Sequence, residues 1–92
     1  MQLILKGHII VPDEDLPAVS AALVEHIRLT REEPGCLCFE VNVDQDNPNR
    51  YNVYEEFQDR STFEQHQQRV AASDWGAVTQ NVSRHYEIEE RD

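Results

Sequence analysis

His66 is a residue whose type and spacing could support chemistry inside a small domain. It follows Phe63 by three residues and precedes Val70 by four, so on a helix it lies on their apolar side. Imidazole titrates near neutral pH and suits a general base, but a buried imidazole needs hydrogen-bond partners. His66 is therefore a candidate base or ligand-binding residue. The alternative is a core-edge histidine bonded to a backbone carbonyl.

Glu55 is the second candidate, because it alternates with Val53 and Phe57 on a strand that we expect to be central. A carboxylate there could polarise a pocket group or orient the histidine. Buried carboxylates are more often structural, so the alternative is that Glu55 or Glu56 forms an ion pair with an arginine. A one-residue shift in strand register would exchange the two glutamates.

Three aromatic residues could complete a pocket with these two side chains. Trp75 is the only tryptophan and either covers a pocket or packs on the sheet. Phe39 lies on an apolar strand face, and Tyr54 offers a hydroxyl that is equally suited to the surface. We predict a cavity between the sheet and the helices, bounded by His66, Glu55, Phe39, Trp75 and Tyr54.

Other kinds of site lack support in the sequence. The four histidines have no metal-ligand spacing, and no glycine-rich loop or other feature provides for a nucleotide, flavin or metal cofactor. His8 and His85 are expected on neighbouring strands, as surface or interface residues. The net charge of −10 argues against nucleic-acid binding, and no apolar run is long enough to span a membrane. Two cysteines without a disulfide framework indicate reduced thiols and a cytoplasmic protein.

Periodicity and turn residues predict the elements that position these side chains. Ninety-two residues predict one domain. We predict strands at residues 3–11, 36–44, 50–58 and 82–88. One helix begins near Asp15 and ends before Pro34, and a second is capped by Asp59 or Ser61. Residues 71–80 form a broken helix or a structured loop, and residues 89–92 form a frayed tail.

The order βαββαβ predicts a ferredoxin-like α+β sandwich, with a four-stranded antiparallel sheet and two helices on one face. Strict alternation places four apolar residues of the second strand on one face: Leu37, Phe39, Val41 and Val43. Cys36 and Cys38 should then point the same way. Ile4 and Ile10 lie on the second face of the first strand, which predicts a homodimer that covers the helix-free side.

Three motifs resemble those of the antibiotic biosynthesis monooxygenase (ABM) family: Glu33-Pro34-Gly35-Cys36-Leu37, Tyr54-Glu55-x-Phe57-x-Asp59 and Phe63-x-x-His66. The resemblance covers most of the chain and implies a dimeric α+β barrel. It implies membership of a group that includes cofactor-free oxygenases of phenolic compounds, haem-degrading enzymes and isomerases. Haem degradation is not expected, because Gly7 and His66 stand where that branch has Asn and Trp, and no later histidine follows before Arg84.

Two functions remain in competition. The first is a cofactor-independent monooxygenase of a small quinol- or phenol-like aromatic, with His66 as base and Glu55 as its orienting carboxylate. The second is a non-catalytic dimer of the same fold that binds a small molecule or acts in a stress response.

Overall fold

The computed structural model describes residues 1–92, which form four strands and three helices. The strands are β1 (Gln2–Ile10), β2 (Cys36–Val43), β3 (Arg50–Phe57) and β4 (Ser83–Arg91). The helices are α1 (Leu16–Arg31), α2 (Arg60–Ala71) and the short α3 (Asp74–Val78), and a 3-10 turn at Asp13–Asp15 precedes α1. Residues 71–80 therefore contain a break followed by a helix, one of the two arrangements that the sequence predicts.

The four strands form one antiparallel sheet in the order β2-β3-β1-β4, which confirms the predicted ferredoxin-like α+β fold. Strand β3 is central, with β1 and β2 on its two sides. Its burial alternates strictly, and its buried side chains are Tyr51, Val53, Glu55 and Phe57. Three of them, Tyr51, Val53 and Phe57, pack with Val19 of α1 and Phe63 of α2 in one hydrophobic core. The predicted face of Glu55 is therefore confirmed.

Local capping fixes where the two later helices begin. Asp59 accepts a hydrogen bond from the Thr62 backbone N–H at 2.9 Å, and the Thr62 hydroxyl lies 3.3 Å from the Asp59 backbone nitrogen, which makes a reciprocal capping box for α2. Ser73 caps α3 through the Gly76 N–H. The Thr79 hydroxyl donates to the Trp75 carbonyl at 2.6 Å, and Arg84 of β4 donates to Thr79. These bonds hold α3 against the end of the sheet.

A β-bulge between Cys36 and Cys38 overturns one prediction about β2. Cys36 pairs with Phe57 and Cys38 pairs with Glu56, so the two cysteines lie on opposite faces of the sheet rather than the same face. The extra residue, Leu37, is 52% exposed and does not share the buried face of Phe39. The cause is the inserted residue, which shifts the alternation of every residue before it by one position.

One further prediction, and one of the reasons given for the dimer, need correction. Residues 89–91 are not a frayed tail, because β4 pairs with β1 as far as Arg91 opposite Gln2. Ile4 lies on the helix-free face, yet it is already buried in a single chain, so it does not by itself require a covering partner.

No helix is both long and apolar enough to span a lipid bilayer.

Candidate functional site

His66 lies on the inner side of α2, one turn after Phe63, and only 2% of the residue is exposed. Three phenylalanine rings surround its imidazole. The ring centroid of Phe57 lies 4.9 Å away, that of Phe39 5.8 Å away and that of Phe63 6.4 Å away. An imidazole in such an apolar enclosure costs free energy unless its nitrogens are satisfied. The groups that face its two nitrogens therefore decide what His66 can do.

Glu33, in the turn after α1, occupies the first of these positions. Its Oε1 lies 2.7 Å from His66 Nδ1 and 3.0 Å from Arg69 Nη2, and the same Arg69 nitrogen donates to Thr30. A carboxylate at Nδ1 accepts a hydrogen bond, which fixes the proton of the neutral imidazole on Nδ1 and leaves Nε2 as an acceptor. Burial lowers the pKa of His66 below its usual value, and Glu33 opposes this only in part. The neutral ring has a free base at Nε2.

Glu55 faces that free nitrogen. Its Oε1 lies 3.9 Å from His66 Nε2 and has no hydrogen-bond partner, and the residue is 7% exposed. Burial, with a smaller effect of the Glu33 charge, raises the pKa of Glu55 to about 8. The group is therefore a neutral carboxylic acid at pH 7. Desolvation and the Glu55 carboxyl together raise the pKa of Tyr86 on β4 to about 12.

The prediction that Glu55 or Glu56 pairs with an arginine is wrong. The partner-less Oε1 of Glu55 faces only His66, and Glu56 accepts a hydrogen bond from the Tyr54 hydroxyl at 2.9 Å on the other face of the sheet. The arginine that lies near His66, Arg69, is engaged by Glu33 instead. Glu33 is closer because the turn after α1 ends beside the inner face of α2.

His26 and Trp75 form a second layer above His66. The ring of His26 lies parallel to the indole of Trp75, with centroids 4.6 Å apart and planes 2° apart. The His26 ring centroid is 6.1 Å from that of His66 and 5.3 Å from that of Phe39. Burial, then the nearby His66 and Arg69, lowers the pKa of His26 to about 3. His26 is therefore a neutral aromatic ring between the surface tryptophan and the buried base.

The structure brings together three of the predicted site residues: His66, Glu55 and Phe39. Trp75 reaches this group only through His26, and Tyr54 lies on the opposite face of the sheet, as its alternation with Glu55 requires. The predicted cavity between sheet and helices does not appear as a groove lined by His66 or Glu55. A groove of about 480 Å³ opens between α1 and α3 beside His26 and Trp75.

Sequence reasoning missed three residues of this group: Glu33, Arg69 and His26. A signal existed for His26, because Val19, His26 and Thr30 recur at helical spacing and are the buried residues of α1. Glu33 begins the motif Glu33-Pro34-Gly35-Cys36-Leu37, but no functional role was predicted for it. No group of three or more His, Cys, Asp or Glu side chains lies where it could hold a metal ion.

Comparison with known proteins places this geometry in context. A family model described as antibiotic biosynthesis monooxygenase matches residues 3–78. A conserved protein of unknown function from Bacteroides thetaiotaomicron, described as a possible oxidoreductase, has a TM-score of 0.82 at 15% identity, over 98% of this chain and 97% of that chain. A Nitrosomonas europaea protein, provisionally described as an antibiotic biosynthesis monooxygenase, has a TM-score of 0.82 at 19% identity, over 99% and 98% of the two chains.

A Deinococcus radiodurans protein with the same provisional description has a TM-score of 0.75 at 19% identity, over 100% of this chain and 93% of that chain. At these identities the solved structures show a shared fold. No curated protein sequence matches the chain at a significant level.

Proposed function

The chain belongs to the antibiotic biosynthesis monooxygenase family, and from that membership we propose that it is a cofactor-independent monooxygenase of a small quinol- or phenol-like aromatic. The observation that carries the proposal is the position of His66. Its Nδ1 is tied to Glu33, and its Nε2 faces the carboxyl of Glu55 without a bond between them. A neutral base and a neutral acid therefore stand side by side in an apolar enclosure.

The separation of 3.9 Å between His66 Nε2 and Glu55 Oε1 is too long for a hydrogen bond and suits an inserted oxygen atom. A substrate hydroxyl between them would donate to Nε2 and accept from the Glu55 carboxylic acid. His66 is then the general base, Glu55 is the acid that holds the substrate oxygen, and Glu33 is a positioning residue. Phe39 would pack against the substrate ring, and Trp75, stacked on His26, would shield the site from water.

The reaction balances without an added reductant. His66 Nε2 takes the hydroxyl proton, and the phenolate then transfers electrons to O₂. One oxygen atom replaces a ring hydrogen and becomes the second carbonyl of a quinone, and the other leaves as water. The phenol is oxidised by four electrons and O₂ is reduced by four. The second oxygen leaves as water with the Glu55 proton and the displaced ring hydrogen, which is released as a proton, and the proton taken by His66 restores the Glu55 acid.

The test is oxygen consumption with a panel of hydroquinones and phenols. We expect His66→Gln to reduce turnover about a hundredfold, the usual loss when a general base is removed. Glu64→Gln is the control, because Glu64 is an exposed residue of the same helix, α2. Equal rates for the wild type and His66→Gln, or no wild-type turnover above the uncatalysed reaction, would contradict the proposal.

The second candidate is a non-catalytic protein that binds a small molecule. The burial of both His66 and Glu55 favours it, because a substrate must displace packed aromatic rings to reach them. In that case the buried pair is a structural polar contact. Binding of a phenol that leaves oxygen consumption at background would support this candidate over the monooxygenase.

We also propose that two copies assemble through the helix-free face of the sheet, as the family resemblance implies. Ile10 and Tyr54 on that face are only half-buried in a single chain, which supports the proposal. We expect light scattering at micromolar concentration to give twice the chain mass of 10.7 kDa. An interface of this kind buries roughly 2,000 Å² or more in total. Ile10→Glu should shift the mass to that of one chain, and a monomeric wild type would refute the assembly.

A further inference from the structure

The side of the buried pair that faces β4 has little protein over it. His66 and Glu55 are covered by α2 and by aromatic rings, but the sheet continues past β1 to β4, where all nine residues are exposed. Glu55 is nevertheless only 7% exposed. A side chain of β1 or β4 must therefore keep water from the Glu55 carboxyl on this side.

The register of the sheet identifies Tyr86 as that side chain. Leu5 of β1 pairs with Glu55 on β3 and with Ile88 on β4, so the Leu5 side chain separates these two. Two residues further along β1, on the same face, Gly7 pairs with Tyr86. Gly7 has no side chain, and the Tyr86 Cα lies only 3.0 Å from the position that a Cβ of Gly7 would take. The space over β1 in this row is therefore open to the Tyr86 ring.

The environment of the Tyr86 hydroxyl indicates that the ring crosses β1 toward Glu55. The two strands that carry these residues are about 10 Å apart, a distance that two long side chains leaning toward each other can span. Burial is the largest cause of the raised pKa of Tyr86, and the Glu55 charge is the second. Yet 38% of the residue is exposed. The hydroxyl end of Tyr86 is therefore turned inward, and the rest of the residue faces solvent.

The protonation of Glu55 depends on the exclusion of water, because no cation faces it. Five residues face Glu55 from the elements around it: Leu5 of β1, Cys36 of β2, Tyr86 of β4, His66 of α2 and Glu33 of the turn after α1. Leu5 is apolar, and the raised pKa values of the thiol and the phenol keep both neutral at pH 7. The imidazole is neutral as well, and Glu33 is itself an acid. Contact with water would therefore stabilise a Glu55 carboxylate more than any of these groups does.

We propose that the aromatic ring of Tyr86, lying over Gly7, excludes water from the β4 side of the site and thereby keeps Glu55 in its neutral, protonated form. Tyr86 is a positioning residue, because it acts through Glu55 and requires no contact with a substrate. The inference rests on the proposed function only for its consequence in catalysis, where Glu55 must be the acid.

The test is an NMR titration of Glu55 in protein labelled with ¹³C at the glutamate carboxyl carbons. The Glu55 resonance is identified by its absence from Glu55→Gln. We expect a titration midpoint of about pH 8 in the wild type. In Tyr86→Ala the midpoint should fall by at least about one pH unit, because water then solvates the carboxylate. Tyr86→Val should give the same fall, and valine preserves the strand if alanine weakens β4 too far for folding.

Two controls separate the ring of Tyr86 from other causes. Tyr86→Phe retains the ring and should retain the wild-type midpoint. Ile88→Ala truncates another apolar residue on the same face of β4, 50% exposed and separated from Glu55 by Leu5, and should also leave the midpoint unchanged. The inference is overturned by a wild-type midpoint near the ordinary value of 4.5, by no fall in the two short Tyr86 variants, or by an equal fall in either control.

Oxygen consumption tests the consequence for catalysis separately. A reaction that needs protonated Glu55 loses rate as pH rises through the Glu55 midpoint, so Tyr86→Ala should move this alkaline limb of the pH–rate profile to lower pH by the same amount. The NMR titration requires no turnover. A shifted midpoint without oxygen consumption supports the role of Tyr86 and contradicts the monooxygenase. Oxygen consumption with an unshifted midpoint in Tyr86→Ala contradicts the role of Tyr86 and leaves the monooxygenase supported.

Discussion

Glu55→Gln is expected to make the protein more stable than the wild type by about 3 kcal/mol at pH 7. Burial raises the pKa of Glu55 from 4.5 to about 8, so the folded state holds a proton that the unfolded chain has released at neutral pH. Each pH unit of such a difference costs about 1.4 kcal/mol. Glutamine has the shape of the protonated acid and carries no ionisation cost.

The pH dependence of this difference has a definite sign. Between pH 4.5 and pH 8 the folded state binds more protons at Glu55 than the unfolded state, so its contribution to the free energy of unfolding falls as pH rises. The advantage of Glu55→Gln should therefore grow from near zero at pH 4.5 to about 3 kcal/mol at pH 7. Urea denaturation monitored by circular dichroism measures it.

Glu56→Gln is the matched control, because it removes a carboxylate from the next position of β3 on the other face of the sheet. Glutamine keeps an acceptor for the Tyr54 hydroxyl, so we expect this change to stay within about 0.5 kcal/mol. A stability difference between Glu55→Gln and the wild type that is constant from pH 4.5 to pH 8 would show that Glu55 is not a buried neutral acid.

Gly7→Ala is expected to lower the free energy of unfolding by more than about 3 kcal/mol, in the severe range for a single substitution. Gly7 lies in the middle of β1 with a φ of +156°, and a Cβ there would stand 1.9 Å from the backbone carbonyl oxygen of His85. A backbone atom of β4 cannot move aside alone. The added methyl group would therefore separate β4 from β1 along their shared ladder.

Denaturation at pH 7 tests this prediction, with Lys6→Ala as the control. Lys6 is the neighbouring residue of β1 and is exposed, so its truncation should change stability by less than about 0.5 kcal/mol. The hydrogen bonds between β4 and β1 slow the exchange of the β4 amide hydrogens with solvent. If Gly7→Ala breaks this pairing, the β4 amides should exchange faster than in the wild type. Wild-type stability and wild-type exchange in that variant would contradict the steric explanation.

The fold was predictable because local signals and long-range pairing agree. The alternation of Tyr51, Val53, Glu55 and Phe57 predicts the buried face of β3. Asp59 and Ser61 are the two predicted caps of α2, and Asp59 is the one that the structure uses. The helical spacing of Phe63 and His66 likewise predicts the inner side of α2. These patterns place His66 and Glu55 on facing surfaces, although they do not give the distance between them.

The remaining details depend on contacts that no periodic pattern encodes. The bulge before Cys38 shifts the register by one residue, and the types of the flanking residues do not indicate it. Glu33 reaches His66 from a turn, so its contact depends on how α1 ends relative to α2. The sequence does not indicate which acidic residue pairs with Arg69. The ion pair with Glu33 follows from the three-dimensional arrangement.

The bulge that separates Cys36 from Cys38 also shapes how the chain responds to oxidants and alkylating reagents. The two sulfur atoms lie on opposite faces of the sheet, so they cannot join in an internal disulfide without unpairing β2 from β3. Burial raises the pKa of both thiols above the usual value. Because the thiolate is the reactive form, neither cysteine is activated at neutral pH. The bulge thus keeps the two thiols apart, and burial disfavours the reactive thiolate in both.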